Sequence, residues 1–483
     1  MIKKISGYVA LVLVVLLLIL AVNTLGLSSL QLSAPPKTVA LSKDYTPVLA
    51  AAIRRQTLSP EAGGHDEDFQ HLYKLLVDSF PRTHQTLTVT PVAGMSRLYY
   101  WSGLNKNLAA GLFVAHTDVV PVAAADTAVW THPPFGGVVQ DDFIWGRGAM
   151  DDKAGVIALL AAAEELLQEN FQPSRSLYFA FGHDEETGGY AGAAAIARHL
   201  AQRESSLNFI LDEGGPIVSG VIPGIAKPVA LIGITEKGYA NIQLQVSHAG
   251  GHASMPPKDS AISILSHALS ALEHTPPQAR LNPAVLSMFR YLAPEMGWLQ
   301  RTVFANLWLT RPLVLQQLAG KPSSNASIRT TGVATLISGG VKENILPTLA
   351  QATLNYRLLP GDTPEDLLQY IKHTINNDAV AVNVLDTPQS PAAISPISNA
   401  VFAQLQRSLS AVYPQVLVAP YQMVAITDSR HYRQLSGNIY RVRPQFMTQT
   451  DLQRIHGTDE RISIEDFQRL IKFYKQFIIN TAS

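Results

Sequence analysis

Two adjacent carboxylates, Asp151 and Asp152, sit inside the run Gly146-Arg147-Gly148-Ala149-Met150-Asp151-Asp152-Lys153-Ala154-Gly155, just ahead of an alanine- and leucine-rich stretch. A turn this rich in glycine and acid is a poor core element and a good place to hold a cation. Three further segments carry the same chemistry: Ala115-His116-Thr117-Asp118-Val119-Val120-Pro121, Gly182-His183-Asp184-Glu185-Glu186-Thr187-Gly188-Gly189 and Leu211-Asp212-Glu213-Gly214-Gly215. A hydrolytic centre with two divalent ions about 3.5–4 Å apart needs a carboxylate shared by both, an imidazole and a carboxylate for each, and a nearby base. Asp151 suits the shared position, because Gly148 and Gly155 leave its backbone freedom and space. His116 and Asp212 are expected to complete one ion, Glu186 and His456 the other. Glu185 diverges from its neighbour Glu186 and stays free as general base. Asp118, two residues beyond His116, points to the same side of an extended chain and can hold the other imidazole nitrogen. Each piece alone is ordinary, since a solitary His-x-Asp or Asp-Glu-Glu is most often a solvated surface feature. Four such motifs in one domain are not.

These side chains need a scaffold that gathers them. Each motif follows an apolar run that reads as a strand, and open α/β sheets place their ligand sites at strand ends. Leu98 to Trp101, Gly111 to Ala115, Leu177 to Phe181 and Phe209 to Leu211 are the expected strands, with helices over Leu49 to Arg55, Asp66 to Phe80 and Val156 to Glu169. The pattern changes near Lys237-Gly238. Asn241 to Val246 alternates polar and apolar, as a strand buried on one face does. A helix from Ala261 to His274, strands over Gly332 to Ile337, Ala352 to Leu358 and Val380 to Leu385, and a helix from Pro364 to Ile375 complete a second, α+β unit inserted into the first. Between Pro283 and Gly320 lies an apolar, aromatic helical stretch containing Phe289, Tyr291, Leu292, Trp298, Phe304 and Trp308. Its expected role is packing rather than a substrate wall or membrane-facing surface. A helix near Asn399 to Val412 returns the chain to the first domain.

Composition narrows the function. The 37 basic and 37 acidic residues cancel, so no electrostatic nucleic-acid binder is indicated. Cysteine is absent, which excludes disulfides, thiolate ligands and a cysteine nucleophile and leaves metals to His and carboxylate. Lys3 and Lys4 precede an apolar run from Tyr8 to Val22, continued more weakly to Leu30. That order marks a secretory signal or signal-anchor. Leu32-Ser33-Ala34 is the nearest cleavage candidate, and the expectation is an uncleaved anchor with the body outside the cytoplasm, secreted instead if the segment is cleaved. Ser33 to Lys43, with Pro35-Pro36, reads as a linker.

On these motifs the sequence resembles the dizinc aminoacylase/carboxypeptidase metallopeptidases, and within them the carboxypeptidase S and N-acyl-amino-acid hydrolase branch. The resemblance extends to Ser247-His248-Ala249-Gly250-Gly251-His252-Ala253-Ser254-Met255-Pro256-Pro257, Gly340-Val341-Lys342-Glu343-Asn344-Ile345-Leu346-Pro347 and Thr427-Asp428-Ser429-Arg430-His431-Tyr432, and covers essentially everything after the linker. It implies two Zn2+ per subunit, with Co2+ or Mn2+ as alternatives, on His116, Asp151, Glu186, Asp212 and His456, and Asp118 and Glu185 as catalytic residues. It also implies that His252, with His248 as competitor, polarises the scissile carbonyl, and that Asn344 and Arg357 bind substrate. For Arg357 a surface ion pair is the competing reading. The implied fold is an α/β zinc-peptidase catalytic domain, a mixed sheet flanked by helices, interrupted by a ferredoxin-like lid that serves dimerisation in many members. The expected layout is a membrane segment over 1–32, a catalytic domain over 33–237 and 387–483, and a lid over 238–386 with the helical insert near 283–320. The expected activity is amide hydrolysis of small peptides or N-acyl amino acids. Another dizinc hydrolase, such as an aminopeptidase or deacetylase, is the alternative, followed by a catalytically silent binding protein.

Overall fold

The computed structural model describes residues 2–32 and 40–483; the Pro35-Pro36 part of the expected linker, and Ser33-Ala34 of the cleavage candidate, lie outside the described residues. An eight-stranded mixed sheet forms the larger unit. In spatial order its strands are Thr88–Val92, Ser96–Trp101, Leu177–Gly182, Gly111–His116, Phe209–Val218, Ile439–Met447, Val229–Glu236 and Leu417–Met423. The central strands Leu177–Gly182, Gly111–His116, Phe209–Val218 and Ile439–Met447 pair in parallel, so their carboxyl ends open on the same edge. Gly111–His116 and Leu177–Gly182 are buried along their whole length, which is why both read as continuous apolar runs.

Helices close both faces. Lys153–Gln168 and the C-terminal Ile464–Ala482 pack against each other over one face, with Phe477 against Phe113 and Phe209. The helix Ala193–Ala201 covers the other face with Ile196, Ala197 and Leu200. The strand at Phe209 is longer than the expected Phe209 to Leu211, because the chain bulges and continues to Val218. Gly214 makes this passage possible. Its φ is +142°, and a Cβ there would stand 2.5 Å from the Met423 sulfur.

Between Glu236 and Leu417 the chain builds a second, antiparallel sheet in the order Thr331–Gly339, Leu349–Leu358, Gly238–Ser247, Val380–Val384. Two helices, Ala261–His274 and Pro364–Ile375, lie on it, which is a ferredoxin-like βαββαβ arrangement. The alternation expected around Asn241 is real: Ala240, Ile242, Leu244 and Val246 face the helices and their neighbours face outward. Four helices within 283–328 form the insert. Phe289, Tyr291 and Leu292 are buried as expected, whereas Trp298 and Trp308 stand exposed, so packing accounts for only part of this stretch.

Candidate metal centre and cleft

Asp151 projects from the glycine-rich turn at the start of the Lys153–Gln168 helix, facing the open strand ends. Its Oδ1 lies 3.0 Å from His116 Nε2, and its Oδ2 lies 3.1 Å from His456 Nε2. Glu213 Oε1 approaches His116 Nε2 to 3.3 Å, and Glu186 Oε2 approaches His456 Nε2 to 3.3 Å. Two ligand sets follow, His116–Asp151–Glu213 and Asp151–Glu186–His456, the donor atoms of each within 4.8 Å of one another. Each has one imidazole and one carboxylate of its own, and they share Asp151. Donors held tetrahedrally about 2.0–2.1 Å from a zinc-sized ion are about 3.3 Å apart, close to the separations here.

One expected ligand is corrected. Asp212 does not face His116. Neighbouring residues of an extended strand point to opposite faces, and here the site side belongs to Glu213. Asp212 turns away to accept hydrogen bonds from the backbone N–H of Ser429 at 2.7 Å and of Glu213 at 2.9 Å, which fixes the Thr427-Asp428-Ser429-Arg430 loop instead. The sequence offered both acids of Asp212-Glu213 and no means of choosing the register.

The charge balance supports a cation site. Asp151, Asp152, Glu185, Glu186 and Glu213 gather around two imidazoles, and Arg443 supplies a counter-charge, with Nη2 3.2 Å from Glu213 and 3.6 Å from Asp151 and Nη1 against Asp152. Glu186 Oε1 is buried and has no hydrogen-bond partner among the described residues. Burying so many carboxylates is costly unless positive charge reaches them. Burial pushes Glu213 well above the usual carboxylate range, and the neighbouring Asp151 adds to it. Burial likewise raises Glu185, with Asp428, Glu213 and Glu186 adding to it. Burial opposes ionisation of Asp151 too, but hydrogen bonds from His116 and His456 outweigh it and hold Asp151 well below its ordinary value. Hydrogen bonds to Asp151 and Glu186 push His456 up to about 10. The donor set fits divalent ions, which would replace protons on the imidazoles.

Several groups hold these side chains in place. His116 Nδ1 lies 3.0 Å from the Asp118 carbonyl oxygen and 3.4 Å from its Oδ1, which leaves Nε2 to face Asp151. The Asp118 carboxylate accepts the backbone N–H of both Glu185 and Glu186 at 3.1 Å, and the Ser59 hydroxyl at 3.0 Å. Glu460 is wholly buried and accepts the N–H groups of Gly148, Met150 and Asp151 at 2.9, 2.8 and 3.2 Å. Its other oxygen meets Arg147 at 2.5 Å, and Arg147 also donates to the His456 carbonyl at 3.0 Å. This pair therefore ties the Asp151 turn to the His456 loop. Sequence reasoning passed over Glu460, Arg147 and Arg443; the available signal was an arginine in a turn of small residues, which demands an acid when buried. The Asp151–Asp152 peptide bond is cis.

Beside the ligands opens a cleft of about 880 Å³ lined by Glu185, Glu186, His456, Tyr190, Tyr239, Arg357, Val424 and Ile426, among others. Arg357 comes from the second sheet and stacks over Tyr239 at 4.7 Å, so it faces the cleft. The expected lid residues lie elsewhere. His252 lies in an exposed two-stranded antiparallel ribbon, Gly251–His252 with Ile345–Leu346, in which it pairs with Ile345; Asn344 directly precedes the second strand, and neither residue lines the cleft. His248 starts the same loop and caps Gly250 through Nδ1 at 3.3 Å.

The chain is similar to known proteins over most of its length. The sequence profile of peptidase family M20/M25/M40 matches residues 112–480. A carboxypeptidase S-like protein of Dictyostelium discoideum is 40% identical over 484 residues, spanning 96% of this chain and 92% of that one. The N-fatty-acyl-amino acid synthase/hydrolase PM20D1 of Mus musculus is 39% identical over 393 residues, spanning 80% and 77%. Among solved structures, the M20 family metallo-carboxypeptidase of Sulfolobus solfataricus superposes with a TM-score of 0.64 at 18% identity, covering 90% of this chain and 98% of that one.

Proposed function

Because this chain belongs to peptidase family M20/M25/M40, we propose that its two ligand sets hold a pair of zinc ions and that it cleaves small peptides or N-acyl amino acids. It is a metal-dependent amide hydrolase. Asp151 carries the finer reading, because its two carboxylate oxygens each face a different imidazole at 3.0 and 3.1 Å. His116 and Glu213 would complete one site, Glu186 and His456 the other; Co2+ and Mn2+ suit the same donors. When bound, the ions supply a water nucleophile at neutral pH and polarise the amide carbonyl. Glu185, half-buried at the cleft with a raised proton affinity, takes the proton from the attacking water and returns it to the leaving amine. Arg357 grips the substrate carboxylate through parallel hydrogen bonds. Such a clamp favours a carboxypeptidase or acyl-amino-acid hydrolase over an aminopeptidase or deacetylase.

Between the two substrate classes, the apolar cleft wall of Tyr190, Tyr239, Val424 and Ile426 and the PM20D1 relatives favour an N-acyl amino acid. The N-terminal helix Ile2–Gly26 contains a 20-residue apolar stretch, Gly7–Gly26, with almost none of it buried, and we assign it as a membrane anchor with the body extracytoplasmic. A homodimer through the second sheet accounts for the exposed edge strand Thr331–Gly339, which presents Val333, Leu336 and Ile337 to solvent. In such a dimer His252 and Asn344 would serve the partner's cleft rather than their own.

The test is amine release from dipeptides and N-acyl amino acids by full-length protein, chelated and then restored with zinc, beside Glu185→Ala. Zinc-dependent release that the variant loses is expected, with long-chain acyl amino acids the better substrates. Dipeptides cleaved equally well would overturn the substrate assignment, and folded protein that binds no metal would overturn the whole reading.

A further inference from the structure

The middle two helices of the insert, Trp298–Ala305 and Leu307–Ala319, carry several exposed apolar residues. Trp298 is 58% exposed, Leu299 76% and Trp308 60%, and Leu309 and Leu313, one turn apart, are exposed beside Pro312. Tryptophan more than half exposed is uncommon in a soluble protein, and two of them beside three leucines form a patch that calls for a partner.

The neighbour of this patch indicates which partner. The last turns of the N-terminal helix dock on the insert through polar groups. Asn23 donates to Asn306 at 2.9 Å, Asn306 reaches the Leu20 carbonyl at 3.3 Å, and Arg301 donates to the Thr24 carbonyl at 3.0 Å and also binds the Leu27 carbonyl. Thr24 is fully buried there, whereas the Gly7–Gly26 stretch is otherwise almost wholly uncovered. Twenty residues at 1.5 Å each span about 30 Å, the thickness of a bilayer's hydrocarbon core. The insert grips only the last part of that length, from Leu20 to Leu27, so the contact runs from the outer part of the hydrocarbon core to its boundary with the headgroups. Tryptophan favours this depth. Charge does not oppose this placement, since no Asp or Glu occurs between Glu295 and Glu343.

We infer that the face of the insert carrying Trp298, Leu299, Trp308, Leu309 and Leu313 lies in the membrane interface beside the N-terminal helix and seats the body against the bilayer. This rests on the anchor assignment made above, and goes beyond it by giving the body a second, monotopic contact. The body then keeps a fixed orientation to the membrane instead of swinging on a tether.

The chain has no cysteine, so single substitutions can be labelled without background. Full-length protein would be reconstituted in phosphatidylcholine/phosphatidylglycerol vesicles, with an environment-sensitive fluorophore at Leu299→Cys, Leu309→Cys or Leu313→Cys. Val15→Cys in the N-terminal helix is the positive control, and Leu104→Cys and Val341→Cys are exposed controls on the two sheet domains. All are exposed side chains whose replacement leaves the core intact. Doxyl-labelled lipid is expected to quench the insert probes and the Val15 probe at least twofold and to spare the other two. Quenching at Val15 alone overturns the inference and leaves the anchor standing. Blue-shifted insert probes that lipid does not quench give the face to a second copy of the chain, which also overturns it. Absence of quenching at Val15 removes the anchor assignment and the inference together.

Discussion

Glu460→Gln is the perturbation that asks most of the site's architecture. The substitution keeps the shape of the side chain and one acceptor oxygen, but it removes the charge opposite Arg147, 2.5 Å away and equally buried. Removing one partner of a buried ion pair costs about 3–5 kcal/mol, because the other charge is left uncompensated in a poorly solvating interior. The three backbone donors at Gly148, Met150 and Asp151 also exchange a charged acceptor for a neutral one, and charge-assisted bonds are roughly twice as strong. Against a total stability of about 5–15 kcal/mol for a typical domain, the variant should unfold at a clearly lower urea midpoint. Because Arg147 and Glu460 join the Asp151 turn to the His456 loop, metal affinity should fall too, by about 10–100-fold as for other residues that orient ligands. Adding Arg147→Met removes the stranded charge, so the double variant should be more stable than Glu460→Gln alone. Urea unfolding followed by circular dichroism and zinc competition against a chromophoric chelator measure both effects. A single variant that unfolds at the parental midpoint and binds zinc equally well refutes the reasoning, as does a double variant no more stable than the single.

Three further outcomes are expected. Glu185→Gln should lower kcat by about 10²–10⁴-fold while metal content by elemental analysis stays the same, since Glu185 belongs to neither ligand set. Glu213→Ala should reduce the bound metal, whereas Asp212→Ala should keep the stoichiometry and lower stability through the freed Ser429 N–H; equal metal loss in both would restore Asp212 as a ligand. Hydrogen bonds to Asp151 and Glu186 raise His456 to about 10, above the ordinary histidine value, so in chelated protein these contacts stabilise the fold fully below about pH 6.5 and fade as pH rises through 10. Metal must displace that proton, and zinc affinity should climb by up to about tenfold per pH unit across this window, with proton release seen in titration calorimetry across buffers of different ionisation enthalpy.

Much of this protein is written locally. Apolar runs at Gly111–His116 and Leu177–Gly182, the alternation over Gly238–Ser247, and the helices Ala261–His274 and Pro364–Ile375 follow from side-chain periodicity, which acts over a few residues and needs no distant partner. The acids and histidines at the ends of those runs announced metal chemistry for the same reason, because a parallel sheet gathers its strand ends on one edge. Register is a different matter. Whether Asp212 or Glu213 faces His116 depends on how Phe209–Val218 pairs with Ile439–Met447, more than 220 residues away, and on a bulge that Gly214 permits. Arg147, Glu460 and Arg443 look like surface charges in the sequence; only burial against partners hundreds of residues away, Arg147 against Glu460 and Arg443 against Asp152 and Glu213, turns them into the frame of the site. Trp298 and Trp308 show the converse, since their types suggested packing and the docking of a short helix on the N-terminal segment left them outside. Sequence determined which elements form and what chemistry they carry. Long-range packing decided which face each charged or aromatic side chain presents, because that choice rests on contacts no local pattern encodes.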